Sequence, residues 1–282
     1  MTIELNNNVY ADGGNDTETT PVVLVHGFPV DHRMWDECAA ALRDQAVKPF
    51  AIWAPDMPGA GEGPIPSDED SGGKDADGAF PYGLDRMADA YVGLLHAAGY
   101  GKAIWVGLSM GGYLILDIQR LHPEAVAALA LCDTKADADS ADMRLKRVAI
   151  ATDCETTGTH EPVMGFAVPS EADSTVKQSD AYCRQFETWI NEQPADGIAW
   201  RERMAAGRPD LNDVLPNINV PVAVICGDKD PSSPPAVMKP VADAVTKTDV
   251  TMTVIDDCGH FSAYEHPNQV AAALLELVKR VG

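Results

Sequence analysis

A serine hydroxyl is a poor nucleophile until a base takes its proton. A serine that does chemistry therefore needs a strained setting, a histidine and an acid. Ser109 has the setting. It lies in Gly107-Leu108-Ser109-Met110-Gly111, after the apolar run Ala103-Ile104-Trp105-Val106 and before Gly112-Tyr113-Leu114-Ile115-Leu116. The order reads as strand, tight turn, helix. At such a corner the hydroxyl projects from the sheet edge, and the flanking glycines remove side chains that would clash. Of seven histidines, His260 is the best placed base, on the Gly-flanked turn Gly259-His260-Phe261 after the last strand-like run. His26 is its competitor. Asp228 and Asp230 both closely follow another strand-like run, and the third member must hold the imidazole in its productive tautomer. His32, His96, His122, His160 and His266 read as surface or helix-end residues, with no pair in a metal-ligand context, so no metal is expected.

Such residues need a scaffold that gathers strand ends. Residues 3–10 alternate weakly and suggest an edge strand, whereas Pro21-Val22-Val23-Leu24-Val25 is a continuous run suited to a strand buried on both faces. Further strand-like runs occupy 50–54, 103–106, 126–131, 222–226 and 250–255, with helical patterns at 34–45, 84–98, 236–245 and 268–281. Alternating strands and helices predict an α/β fold with a mostly parallel sheet flanked by helices. Residues 63–83 are rich in glycine, proline and acids and read as a mobile surface loop. After Asp133 the strand-like runs stop. Helical stretches at 141–151 and 180–191 take over, in a segment that also carries Phe166, Tyr182, Phe186, Trp189 and Trp200. This predicts a helical cap, residues 135–207, inserted after the sixth strand of a core built from 1–134 and 208–282.

Composition narrows the partners. In 282 residues, 43 acidic side chains face 21 basic ones, a formal net charge of −22. Phosphate backbones and anionic membranes are repelled by such a field, so neither nucleic acid nor a membrane is an expected partner. Met1-Thr2-Ile3-Glu4-Leu5 has neither the basic nor the apolar region of a secretory signal. No apolar run approaches the roughly 18 residues a membrane span needs. Six cysteines are scattered without a C-x-x-C pair, which suits a reduced, cytoplasmic protein. Nothing in the sequence sets an oligomeric state.

Several motifs occur together and in one order. They are His26-Gly27-Phe28-Pro29, Asp56-Met57-Pro58-Gly59-Ala60-Gly61, the Ser109 turn, Gly227-Asp228-Lys229-Asp230 and Gly259-His260-Phe261. With them the chain resembles the α/β-hydrolase superfamily over nearly its whole length. One departure is Gly63, where the family usually has a serine. The segments V-L-V-H-G-F-P-V-D-H-R-M-W and C-D-T-K-A-D-A-D are similar to small bacterial carboxylesterases and enol-lactonases.

The resemblance implies a Ser109, Asp230, His260 triad, in the chain order this fold uses. It leaves Asp228 and Asp56 as turn-stabilising acids and His26 as a residue that orients backbone. The backbone N–H groups of Phe28 and Met110 would form the oxyanion hole. The implied activity is hydrolysis of small carboxylic esters through an acyl-enzyme, without a cofactor, extending to aryl or hydroxycinnamoyl esters. Enol-lactone or C–C bond hydrolysis is the alternative, and a non-catalytic small-ligand receptor is a further one. A serine at the elbow, not an aspartate, argues against the dehalogenase and epoxide hydrolase branches. Phe28, Met110 and Phe261 are expected to floor the substrate pocket and Trp189, Phe186 and Tyr182 to roof it, unless they simply form the cap's own core.

Overall fold

The computed structural model describes residues 3–13 and 19–281. Among these, seven strands form one sheet: β1 (Asn7–Asp12), β2 (Val22–Val25), β3 (Ala51–Pro55), β4 (Ala103–Leu108), β5 (Val126–Cys132), β6 (Val222–Gly227) and β7 (Val250–Ile255). Their spatial order is β1-β3-β2-β4-β5-β6-β7. Only β1 runs antiparallel, against β3; every other neighbouring pair is parallel. The central strands β2, β3, β4 and β6 are buried at every residue. Both sheet faces are therefore covered, which is why these strands read as unbroken apolar runs. The edges differ: apart from the buried Ile255, the residues of β1 and β7 are partly buried or exposed.

Helices supply the cover. The core helices are α1 (Asp36–Gln45), α2 (Gly83–Ala97) and α3 (Met110–Leu121), and α4 (Ala141–Thr157), α5 (Asp180–Glu192) and α6 (Ala195–Gly207) follow β5. The chain closes with α7 (Pro235–Ala244), α8 (Ser262–Glu265) and α9 (Pro267–Lys279). α1 packs with α9, α2 with α3, and α7 with β6 and β7.

The helical insertion follows β5, the fifth described strand, not the sixth, because the N-terminal segment supplies a single edge strand before β2. Its helices are locally well specified. The hydroxyls of Ser140 and Ser179 cap α4 and α5 by accepting from the N–H of Met143 and Tyr182. Gly158 ends α4 at φ 69°, the left-handed geometry that glycine adopts without strain. α4 packs along α6, which is buried on nearly all sides.

The segment 63–83 is not the loose loop its composition suggests. Arg144 on α4 binds the carboxylates of Asp75 and Asp77 at 2.6 Å each, the Phe80 N–H donates to Arg203 O, and Trp200 Nε1 donates to Ser71 Oγ at 2.8 Å. Asp75 and Asp77 are partners for Arg144, while Asp68 and Glu69 stay exposed.

The parallel strands share one direction, so the residues after β2, β4, β5, β6 and β7 emerge at one edge of the sheet. That edge is where ligands bind in open α/β folds. Phe28, Ser109, Asp133, Asp230 and His260 all lie just beyond those strand ends.

Candidate active site

Ser109 sits between β4 and α3 with φ 55°, a left-handed backbone conformation that is uncommon for a non-glycine residue. The backbone holds it there. Its N–H donates to Cys132 O and its carbonyl accepts from the Gly112 N–H, both at 2.9 Å. Thr134 Oγ1 donates to the same carbonyl at 2.7 Å. The turn closes only with glycines: a Cβ on Gly107 would lie 2.3 Å from Gly111 O, and one on Gly111 would lie 2.3 Å from Val25 O.

His260 Nε2 is 2.8 Å from Ser109 Oγ. On the other side of the ring, Nδ1 is 2.9 Å from both carboxylate oxygens of Asp230. The Ser232 N–H donates to Asp230 Oδ1 at 2.8 Å, fixing the carboxylate. Asp230 and His260 are 2% and 8% exposed. Burial alone would lower the histidine pKa. The charge and hydrogen bond of Asp230 outweigh it, helped by Asp133 and Glu265, and raise the pKa above 6.5.

Asp228 faces the other way, accepting from the Cys258 N–H at 3.2 Å, and so ties the turn of the acid to the turn of the histidine. Glu265 does the same work from α8 by accepting from the N–H groups of Gly259 and Phe261.

Phe28 and Met110 both line the cavity that contains Ser109 and His260. Among the described residues neither of their backbone N–H groups has a hydrogen-bond partner. His26 braces this loop. Its Nε2 accepts from the Met57 N–H at 2.9 Å, leaving Nδ1 to donate to Gly27 O, also at 2.9 Å. Both nitrogens are thus engaged, and burial pushes the pKa down to about 4, so the ring is a neutral brace. Asp56 is a brace too, accepting from Asn6, Asn8 and both the backbone and ring of His32. Asp31, His32 and Asp56 present three ligand atoms within 4.8 Å of one another. The carboxylate of Asp31 is, however, already engaged by Arg33 and Gln193.

Two residues of this region were given no role by the sequence. Asp133 follows β5 with φ 45° and is fully buried. It accepts from the Gly227 N–H at 3.0 Å and from Ser262 Oγ, so it links the ends of β5, β6 and β7. Burial, and then the nearby Asp230 charge, push its pKa up to about 8. The sequence signals for it were its position after a strand and its place in the segment C-D-T-K-A-D-A-D.

Arg201 is the second. It is fully buried on α6 and donates to Pro29 O at 3.2 Å and Val30 O at 2.9 Å. Its guanidinium lies 5.4 Å from the centroid of the Phe28 ring. Burial lowers its pKa to about 10, which still leaves it cationic at neutral pH. Arg201 thus fastens the Phe28 loop to the insertion. Arg201→Met keeps the length but leaves two loop carbonyls without their donor. We expect a stability loss of about 2–4 kcal/mol in urea unfolding. Any activity of the site should fall mainly in kcat, because the loop Arg201 holds carries the Phe28 N–H expected in the oxyanion hole; unchanged kcat would disconnect Arg201 from that role.

The cavity measures about 320 Å³ and is lined near Ser109 by Phe28, Met110, Tyr113 and Phe166. Phe261 and Trp189, expected as pocket residues, do not line it. Phe261 packs edge-on against Phe186 at 4.7 Å and Phe166 at 6.2 Å. Trp189 packs against Phe186 and Tyr264 at 5.5 and 5.4 Å. Tyr182 stacks on Phe186 at 4.0 Å. These rings sit where α5 meets α8 and form the joint between insertion and core rather than a pocket roof. Phe166 is the insertion's aromatic contribution to the cavity.

A family model described as alpha/beta hydrolase family matches residues 22–273. The chain belongs to the alpha/beta hydrolase family. Among solved structures, this hydrolase is similar to a thermophilic esterase from Thermogutta terrifontis, with malate bound. The two are 30% identical with a TM-score of 0.83, over 99% of this chain and 94% of that one. It also shares its fold with an enol-lactonase from Burkholderia xenovorans LB400, at 21% identity, TM-score 0.79, and coverage of 98% and 97%. Epoxide hydrolase A of Mycobacterium tuberculosis is 23% identical over 91% of this chain and 89% of its own length. Among the described residues of this hydrolase, no helix is long and apolar enough to cross a membrane.

Proposed function

We propose that this hydrolase cleaves carboxylic esters of small substrates through an acyl-enzyme. Ser109 is the nucleophile, His260 the base, Asp230 the residue that orients and charges the imidazole, and the N–H groups of Phe28 and Met110 the oxyanion hole. The observation that carries the reading is a continuous line from Ser109 Oγ through both ring nitrogens of His260 to Asp230, at 2.8 and 2.9 Å. Ser109 Oγ attacks the ester carbonyl while His260 Nε2 takes its proton. The tetrahedral oxyanion collapses, and the alkoxide leaves with the proton from His260. A water activated by the same histidine then releases the acid and restores the serine. Every atom and proton is accounted for by ester, water and these side chains.

The similarity to an esterase and an enol-lactonase supports this reaction class. The epoxide hydrolase relative does not redirect it, because the elbow here carries an alcohol rather than a carboxylate. A fluorophosphonate probe tests the assignment: mass spectrometry should find one adduct, on Ser109, in folded protein. Absence of that adduct would falsify the nucleophile assignment.

The pH dependence follows from His260. It must be neutral to accept the serine proton, and its pKa is raised above 6.5. Activity is therefore complete above the raised pKa and lost as pH falls through it. The acidic limb of kcat/KM on p-nitrophenyl butyrate should have its midpoint above 6.5, and a midpoint well below that value would show burial to dominate over Asp230.

A further inference from the structure

The cavity around Ser109 has one wall unlike the others, formed by Lys135, Asp139, Arg147 and Glu202. Its charges interlock. Asp139, with its side chain 2% exposed, takes Arg147 Nε at 2.5 Å and both terminal nitrogens of Arg208 at 2.9 Å. Glu202 takes Arg147 Nη1 at 2.7 Å. Two carboxylates are thus matched by two guanidiniums. Lys135 is the cation left over. Its ammonium stands 3.8 Å from Asp139 Oδ1, beyond hydrogen-bond range, and it has no closer partner among the described residues. Of the two acids two residues away, Asp133 is held by the Gly227 N–H and Ser262 Oγ, while Asp137 is exposed, accepts from Asn212, and like Asp133 does not line the cavity.

The position of Lys135 is fixed by the nucleophile's own support. It is the residue after Thr134, whose hydroxyl binds the Ser109 carbonyl at 2.7 Å. With Arg208 buried behind the wall, the cluster holds three cations against two anions, in a chain whose formal net charge is −22. The overall field repels anions from a distance, but salt screens that field within about 10 Å. Inside a small cavity the near ammonium dominates.

We propose that the cavity takes esters bearing a carboxylate, and that the Lys135 ammonium receives that carboxylate. The proposal rests on the ester-hydrolase reading above and names its substrate class. Lys135 is the residue to test, since removing Arg147 would strand the buried Glu202.

Initial rates on two matched pairs provide the experiment, with spontaneous hydrolysis subtracted. p-Nitrophenyl hemiglutarate against p-nitrophenyl valerate places the charge on the acyl side. p-Acetoxybenzoate against p-tolyl acetate places it on the alcohol side. In one pair, Lys135→Met should lower the anionic-to-neutral ratio of kcat/KM by about tenfold, the size of one charge-assisted contact at a partly solvated site. Lys135→Arg should restore the ratio, and added salt should lower it in the wild type. A ratio that stays constant in both pairs overturns the proposal and leaves ester hydrolysis standing, as does an equal fall for both members of each pair. Wild-type protein that turns over none of the four esters overturns the ester-hydrolase reading itself, and this proposal with it.

Discussion

Ser109→Ala is expected to lower kcat on p-nitrophenyl butyrate by about 10⁵–10⁶-fold, the loss typical of deleting the nucleophile of a serine triad. The variant should fold as the wild type does, because the hydroxyl does not hold the elbow. The turn is held by the backbone of Ser109, through Cys132, Gly112 and Thr134. The hydroxyl's hydrogen bond goes to His260. Alanine tolerates φ 55° about as poorly as serine does, so strain is unchanged. The thermal midpoint should stay within about 2 °C of wild type, since surface-like losses of under 0.5 kcal/mol move a chain of this size little. Equal rates for the variant and the wild type would end the nucleophile assignment and favour a receptor on a hydrolase fold. A fallen rate with an unchanged midpoint separates chemistry from stability.

The reach of the sequence can be judged residue by residue. β2, β4 and β6 were legible because strands covered on both faces must be apolar throughout. The Ser109 elbow was legible because a turn this tight demands glycines at fixed offsets, and those offsets survive in one dimension. What failed was whatever depends on packing between distant segments. Composition alone made 63–83 a loose loop, since Arg144, which pairs with Asp75 and Asp77, lies about 70 residues later. Trp189 and Phe261 looked like pocket residues because large aromatics serve both a joint and a binding site, and only the position of α5 against α8 separates the two uses. Arg201 was invisible for a related reason: a buried arginine is specified by the carbonyls it meets, and those belong to residues 29 and 30. Asp133 lay one residue beyond a correctly read strand. Its importance appears only when β5, β6 and β7 are brought side by side.

Asp230→Asn is expected to lower kcat by about 10⁴-fold with little change in fold, because asparagine conserves shape while reversing a hydrogen bond. The Asp230 oxygens both lie 2.9 Å from His260 Nδ1, so Nδ1 carries the proton and Nε2 is left to accept from Ser109. The asparagine carbonyl can still accept from Ser232, which turns its NH₂ toward Nδ1. The imidazole must then carry its proton on Nε2, facing Ser109 Oγ, where it can no longer act as the base. Asp133 is close enough for its pKa to be raised by the charge of Asp230. It cannot take over, because its oxygens are committed to the Gly227 N–H and Ser262 Oγ rather than to the imidazole. A second consequence separates this account from general damage. Asp230 is the main influence holding the His260 pKa above 6.5 against burial. Without it burial wins, so the acidic limb of the residual activity should move to lower pH than in the wild type. A loss smaller than about tenfold would mean that another acid orients His260. A limb that stays in place would mean that the observed pKa belongs to a different group.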